Sequence, residues 1–184
     1  IVQDEFRFFT EGGNHMDFYD VISTRRSIRH YSDRPVPDAS LDRIAQAVQL
    51  APTACNRQPF RILAVRNPEL RAAICRACPQ RFLPEAPVIL VALGDMKNAW
   101  RRVGDDHSIV EIDLGIVFEH AVLAATAEGL STCWVCAYDR KRMDEALKLG
   151  EPWSALAVSP LGYASEPAAP IEHKPVPELF EIID

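Results

Sequence analysis

A group of basic side chains stands near the start of the chain, in the sequence RRSIRHY. Arg25, Arg26 and Arg29 surround Ser27. Arginine suits phosphate because its planar guanidinium group donates two parallel hydrogen bonds, and a serine hydroxyl can add another. Arg25, Ser27 and Arg29 alternate, so an extended backbone would direct all three to one side. The segment is a candidate anion site; a solvated basic surface is the alternative interpretation.

A second polar cluster occupies APTACNRQPF, which begins at Ala51 and lies at the end of a predicted helix. Asn56 and Gln58 offer amide donors and acceptors that match the edge of a planar heterocycle. Pro52 and Pro59 flank them. Ordinary turn chemistry explains the same composition, so the cluster alone does not establish a site.

The cysteines form two Cys-x-x-Cys pairs, Cys75 with Cys78 and Cys133 with Cys136. Such pairs can hold zinc or an iron–sulfur cluster. These two lie much further apart than the roughly 15–20 residues typical of zinc ribbons. Residues three apart in a strand also point to opposite faces, which argues against a shared metal at the second pair. We expect small buried hydrophobic side chains and no metal site.

Two further groups of residues are candidates for catalysis or binding. Asp113, Glu119 and His120 lie in one long predicted helix and could form a metal or acid–base site. A capping aspartate and an interface histidine explain them as well. His107 follows an acidic pair in a predicted loop, where solvation is the ordinary interpretation and a place in a substrate pocket is the functional one.

Composition limits the classes of protein that fit. The chain has 184 residues, 48% of them hydrophobic, with a net charge of -6, which suits one domain with a sizeable core. The acidic balance argues against a nucleic-acid partner. No apolar run reaches the roughly 18 residues that span a membrane. The five cysteines cannot all pair within the chain, and no signal peptide is visible, so we expect a cytoplasmic protein.

The elements that must position these residues mix helices and strands without a βαβ repeat, which predicts an α+β fold. Helices are predicted over 17–24, 37–54 (capped by Asp38 or Ser40 and stopped by Pro52), 67–78 (capped by Asn67), 108–130 (ended by Gly129) and 139–150 (ended by Gly150). Strands are predicted over 61–66, 86–93, 131–138 and 153–164.

The two ends of the sequence differ from the rest. Residues 1–15 are interpreted as a possible tag or disordered extension, because the His15–Met16 pair resembles a cloning junction. Residues 16–184 are then the folded domain. Its proline-rich end is an extended C-terminal arm, whose last residues, ELFEII, are apolar enough to dock on a surface.

Four motifs together resemble the nitroreductase family of flavin enzymes: RRSIRHY, APTACNRQPF, IDLGIVFEHAVLAATAEGLSTCWVCAYD and LGYASEP. Their order and spacing match from about residue 17 to the end. The resemblance implies a central, mostly antiparallel sheet flanked by helices, in an intertwined homodimer that binds FMN at the subunit interface.

The resemblance also implies roles for residues. The FMN phosphate would be held near Arg25, Arg26 and Ser27, with Arg29 at the pyrimidine edge of the flavin. Pro52, Thr53, Ala54 and Asn56 would contact the same flavin from the other subunit. The segment Trp134, Val135, Cys136 and Ala137 would pass beside the flavin ring. His173 and Lys174 of the tail would complete the phosphate pocket. Cys55 would face the substrate. His173 stands where the family usually has arginine, and Cys136 and Ala137 stand where many members have glycine.

The implied activity is reduction of small electron-poor acceptors, such as nitroaromatics or quinones, with NADH or NADPH as the donor. The flavin N5 carries the hydride and no side chain is predicted as an acid or base, so ping-pong kinetics are expected. The alternatives are another reaction of the same fold (flavin cleavage, dehalogenation or dehydrogenation) and a cysteine-based metal or redox scaffold without flavin.

Overall fold

A computed structural model describes residues 16–183, which form a four-stranded sheet flanked by helices. The possible tag at residues 1–15 lies outside the described residues. The strands are β1 (Phe60–Val65), β2 (Val88–Asp95), β3 (Ser131–Thr132) and β4 (Trp153–Gly162), in the spatial order β1-β2-β4-β3. Every pairing is antiparallel. The predicted α+β class and mostly antiparallel sheet are therefore confirmed.

The two central strands carry the core. All of β2 is buried, and β4 is buried from Ser154 onward, so both strands are apolar without alternation. The register pairs Val91 with Val158 and is interrupted by an irregularity at Ala92 and Leu93. Separate clusters of buried side chains cover the two faces of the sheet.

The helices are α1 (Phe18–Thr24), α2 (Asp38–Gln49), α3 (Pro68–Ala77), α4 (Val110–Ala127) and α5 (Arg140–Ala146), with short 3₁₀ turns at Ala54–Asn56, Leu83–Glu85 and Val176–Glu178. Helix α4 is buried along most of its length and packs on α2 and the sheet. His120 of α4 contacts the carbonyl oxygen of Ala47 in α2 at 3.0 Å, so it joins the two helices within the chain.

Helix ends follow the predictions at some positions and depart from them at others. Asn67 caps α3 as predicted, because its side chain accepts a hydrogen bond from the N–H of Leu70. Gly129 ends α4 with a φ of +69°, the conformation that glycine adopts easily. The predicted cap of α2 is wrong: Pro37 precedes the helix and no side chain caps it. Gly150 does not end α5, because the chain leaves the helix at Lys148, whose φ is +53°.

The predicted strand over 131–138 is wrong beyond Thr132, and Pro160 supplies the reason. The register that pairs Ser131 with Gly162 and Val135 with Val158 places Cys133 opposite Pro160. Proline has no N–H to donate to a neighbouring strand. The Cys133 N–H instead donates to the Ser159 hydroxyl at 3.0 Å, so the ladder breaks and resumes only at Val135.

The C-terminal residues from 164 to 183 are exposed and contain one short 3₁₀ turn, Val176–Glu178. Large apolar side chains are uncovered there and on two helices: Ile171, Val176, Leu179, Phe180, Ile182 and Ile183 in the tail, Phe18, Tyr19 and Ile22 in α1, and Ile112 and Ile116 in α4. Contiguous exposed apolar surface is typical of interaction sites. Among the helices of the described residues, none has the length and apolar character to cross a membrane.

Candidate functional site

The arginine segment lies along the edge of the sheet. After α1 ends, the chain becomes extended, and the N–H of Ile28 donates to the carbonyl oxygen of Thr132 at 2.9 Å. Ser27 pairs with Thr132 in a parallel bridge. Ile28 is buried while Ser27 and Arg29 are more accessible, as the predicted alternation requires. The arginine segment therefore lies against the end of β3.

The arginines of this segment have no carboxylate within 4.0 Å among residues 16–183. Arg26 donates only to the backbone, to the carbonyl oxygens of Ser23 at 2.7 Å and Arg25 at 2.8 Å. The guanidinium carbon of Arg29 lies 5.9 Å from the centre of the Phe82 ring. Their positive charge is available to an anion.

Two adjoining clefts divide the basic side chains. Arg25 and Arg26 line a cleft of about 230 Å³. Ser27 and Arg29 line a neighbouring cleft of about 320 Å³, whose other wall comes from the tail at Glu166–Ala169. Ala168 borders both clefts. The structure thus brings the four residues to one region but spreads them over two recesses; whether one anion meets them all stays a prediction.

The thiol of Cys133 is buried directly after Thr132, the residue that bridges to Ser27. Burial raises its pKa, while Arg29, a hydrogen bond with Ser27 and the charge of Arg25 act in the opposite direction. Burial also raises the pKa of Glu119, which Arg25 lowers in part. The arginine charges therefore act together on the groups around the end of β3.

The segment 134–137 begins two residues after Thr132, which bridges to Ser27, and three of its backbone N–H groups have no acceptor among residues 16–183. Val135 exchanges backbone hydrogen bonds with Val158, so the N–H groups of its neighbours face away from the sheet. The N–H groups of Trp134, Cys136 and Ala137 donate to no acceptor in the described part of the chain. The Trp134 ring packs edge-on against Phe118 at 4.7 Å and donates to the Cys136 sulfur at 3.1 Å.

The loop that follows α2 has an unusual backbone. Cys55, Asn56 and Gln58 have φ values of +51°, +50° and +50°, a region that residues other than glycine seldom adopt. Thr53 accepts the Gln58 N–H at 3.0 Å through its hydroxyl, and Pro52 is exposed. Neither arginine cleft includes a residue of this loop. Within one chain the loop and the arginine segment are separate.

The remaining candidate residues are not among the residues that line the two clefts. His173 and Lys174 are exposed in the tail, where Lys174 pairs with Glu178 at 3.6 Å. His107 is exposed in the turn before α4, and its N–H donates to Asp105. Their assignment to phosphate and substrate remains a prediction.

The cysteine pairs do not assemble. Cys133 is buried whereas Cys136 is exposed, although the strand itself ends at Thr132. Burial raises the pKa of Cys75, and raises that of Cys78 to about 11, so both thiols are neutral near pH 7. In the part of the chain that the structure describes, no three histidine, cysteine or acidic side chains come close enough to hold a metal ion.

Several residues at the site were not identified from the sequence. Ala168 and Phe82 carry no chemical signal, and only the fold brings them to the arginines. Asp113 had a signal, a carboxylate in an apolar helix, but the capping interpretation is wrong. It is the fourth residue of α4 and accepts the Ala54 N–H at 2.9 Å.

Comparison with known proteins identifies the family. The model of the nitroreductase family matches residues 22–79 and 75–163. An NADH dehydrogenase of Thermus thermophilus is 30% identical over 86% of this chain and 82% of its own length. An FMN reductase [NAD(P)H] of Bacillus subtilis is 32% identical over 60% of this chain and 50% of its length.

A solved structure agrees with these matches. A nitroreductase family protein of Clostridium difficile has a TM-score of 0.84 and 28% identity, covering 90% of this chain and 98% of its own. The chain belongs to the nitroreductase family, so the resemblance given by its four motifs is confirmed.

Proposed function

We propose that this protein is an FMN-dependent oxidoreductase that uses NADH or NADPH to reduce small electron-poor acceptors such as nitroaromatics and quinones. The observation that carries the proposal is that a segment of arginines without carboxylate partners among residues 16–183 pairs with Thr132, two residues before a segment with unpaired backbone N–H groups. Family membership and the names of the Thermus and Bacillus relatives support it.

The residues present fit an FMN molecule. A phosphate monoester is a dianion with three acceptor oxygens, which suits the guanidinium groups of Arg25 and Arg26 and the hydroxyl of Ser27. The N–H groups of Trp134, Cys136 and Ala137 suit the polar edge of a flavin ring, because they are exposed and have no acceptor among residues 16–183. When bound, the flavin would accept a hydride from the nicotinamide and deliver it to the acceptor.

The chain's own part is binding, electrostatics and access. Arg29 places a fixed positive charge beside the cleft that it lines with Ser27, and a cation near the pyrimidine of a flavin favours its reduced, anionic form. Cys55 and His107 are proposed to border the space for the acceptor. We infer that donor and acceptor occupy this space in turn, which gives ping-pong kinetics.

A second copy of the chain completes this arrangement. The exposed apolar side chains of α1, α4 and the tail would be buried at an interface with a second copy of the chain. Two-fold symmetry gives that copy the same surface. Pro52, Thr53, Ala54 and Asn56 would then reach the flavin of the other subunit, and His173 and Lys174 would join a phosphate pocket. This explains why the loop is separate from the arginines of its own chain.

The test is an anaerobic titration of the purified, flavin-loaded protein with NADH and with NADPH, followed by a panel of acceptors. We expect bleaching of the flavin absorbance by one or both donors and recovery on addition of a nitroaromatic or quinone. Protein that binds no FMN would refute the proposal. Loss of FMN without reduction of any acceptor would favour one of the alternative reactions. Light scattering coupled to size-exclusion chromatography tests the homodimer.

A further inference from the structure

Asp113 is a buried charged residue that the proposed function does not use. It lies in the second turn of α4 and its exposed fraction is 2%. A carboxylate so far from water is costly unless hydrogen bonds compensate it. Such a group in a native structure calls for a specific explanation.

The contacts of Asp113 are few and directed at one place. Oδ1 accepts the Ala54 N–H at 2.9 Å. Oδ2 is buried and accepts no hydrogen bond from residues 16–183. The carboxylate therefore serves one described partner, the first residue of the short helical turn in the loop after α2.

The start of α4 is held firmly enough to act as an anchor. A Cβ atom at Gly94 in β2 would lie 2.9 Å from Val110 and 2.5 Å from Leu156. The missing side chain thus lets the first turn of α4 lie directly on the sheet. Val110 and Leu114 are buried in the same core, so Asp113 projects from a fixed element.

The loop that Asp113 holds is strained. Three of its residues, Cys55, Asn56 and Gln58, have positive φ values, a conformation that is unfavourable for residues other than glycine and persists where surrounding contacts enforce it. Residues 55–58 are exposed, so packing contributes little. At its far end Arg57 donates to the carbonyl oxygens of Asn98 and Ala99, both at 3.3 Å. At its near end the tie to a buried element is Ala54 to Asp113.

We propose that Asp113 is a positioning residue, whose carboxylate holds the loop 53–58 in the conformation that faces the flavin and the acceptor. The reason is the direct bond from a fixed, buried carboxylate to a strained, exposed backbone. The inference rests on the proposed function for what the loop contacts, but the effect on the loop itself does not depend on flavin.

The experiment compares amide hydrogen exchange of residues 53–58 in flavin-loaded wild type, Asp113→Ala and Asp113→Asn. We expect exchange in Asp113→Ala to be faster by about tenfold or more, the effect of losing a hydrogen bond to a charged acceptor. The KM for the acceptor should rise by a similar factor, with a smaller change in kcat. Asp113→Asn should restore most of the protection, because its Oδ1 can accept the same N–H.

A second variant removes the same hydrogen bond from the other side. Ala54→Pro lacks the N–H, and proline suits the first position of a helical turn. The preceding Thr53 has φ -136° and ψ +160°, which a following proline tolerates. This variant should loosen the loop even if Asp113→Ala fails to fold.

Asp144→Ala is the matched control. Asp144 of α5 also holds a backbone N–H, that of Ala155 at 2.7 Å, but on another side of the molecule. We expect it to lower the melting temperature without changing exchange at 53–58 or the KM. Wild-type exchange in both Asp113→Ala and Ala54→Pro would overturn the proposal, as would equal loosening of the loop by the control. Failure to bind FMN would instead refute the proposed function and leave the exchange result readable.

Discussion

Two arginine-rich segments of this chain look alike in sequence and differ in structure. Arg101 and Arg102 lie in the turn before α4, where Arg101 bonds Asp106 at 2.8 Å and Arg102 bonds Asp105 at 3.0 Å. Arg25 and Arg26 meet no carboxylate within 4.0 Å among residues 16–183. Positive charge is neutralised in the first segment and available in the second.

The two segments differ in pairing and not in arginine content, which is why we propose the anion site at Arg25 and Arg26. The acidic residues that neutralise Arg101 and Arg102 follow within five positions in the sequence, so a turn is enough to bring them together. The segment 25–29 contains no acidic residue, and Arg26 contacts its sequence neighbours Ser23 and Arg25 through their carbonyl oxygens. The guanidinium carbon of Arg34 lies 3.8 Å from the centre of the Tyr163 ring, in a cation–π contact.

The largest expected effect comes from neutralising the free pair. Arg25→Gln combined with Arg26→Gln should weaken FMN binding by about a hundredfold, because two charge-assisted hydrogen bonds to phosphate are lost. Arg101→Gln combined with Arg102→Gln should leave the affinity within about twofold, since that pair is already neutralised. Quenching of flavin fluorescence on titration measures both.

Riboflavin, which lacks the phosphate, serves as the control ligand for that comparison. Wild type should bind it much more weakly than FMN, whereas the Arg25 and Arg26 double variant should bind the two ligands about equally. A double variant that keeps the full preference for FMN would show that the phosphate lies elsewhere.

A smaller effect is expected from Arg29, which we assign to the flavin ring instead of the phosphate. Arg29→Gln should lower the midpoint potential of the bound flavin by about 30 mV, which corresponds to tenfold weaker preference for the two-electron reduced form. Spectroelectrochemical titration of the holoenzyme gives this value. An unchanged potential together with weaker FMN binding would move Arg29 to the phosphate.

The smallest expected effect is the change in stability when the ion pair between Arg102 and Asp105 is removed. Hydrogen bonding with Arg102 lowers the pKa of Asp105, so this contribution is present above the ordinary carboxyl pKa and is lost as the pH falls through the lowered value. Because both side chains are exposed, Arg102→Ala should lower the melting temperature at pH 7 by less than about 2 °C. The difference from wild type should shrink below pH 4. Differential scanning calorimetry at several pH values measures it, and a large change at pH 7 would show that the turn supports the fold.

The sequence predicted the sheet and most helices because their patterns are local. The continuous apolar runs of β2 and β4 and the cap at Asn67 are readable from adjacent residues. The early end of β3 is not, since it depends on Pro160 standing opposite Cys133 after the chain has passed through α5. A register between distant strands has no local signal.

The candidate site divides in the same way. Types and spacing identified the arginine segment and the family. They did not identify Asp113 as an anchor, because its partner Ala54 is 59 positions away in sequence and takes part through its backbone. A backbone N–H leaves no trace in the residue type, so contacts of this kind become visible only in the folded chain.

The exposed apolar tail has a consequence for measuring activity. If Phe180, which is 69% exposed, and its neighbours hold a second copy, each flavin is shared between chains. Dilution below the dissociation constant of the dimer would then abolish the activity of both flavin sites together. Specific activity should fall as the assay is diluted and return on concentration, whereas a value independent of dilution would mean that each chain works alone.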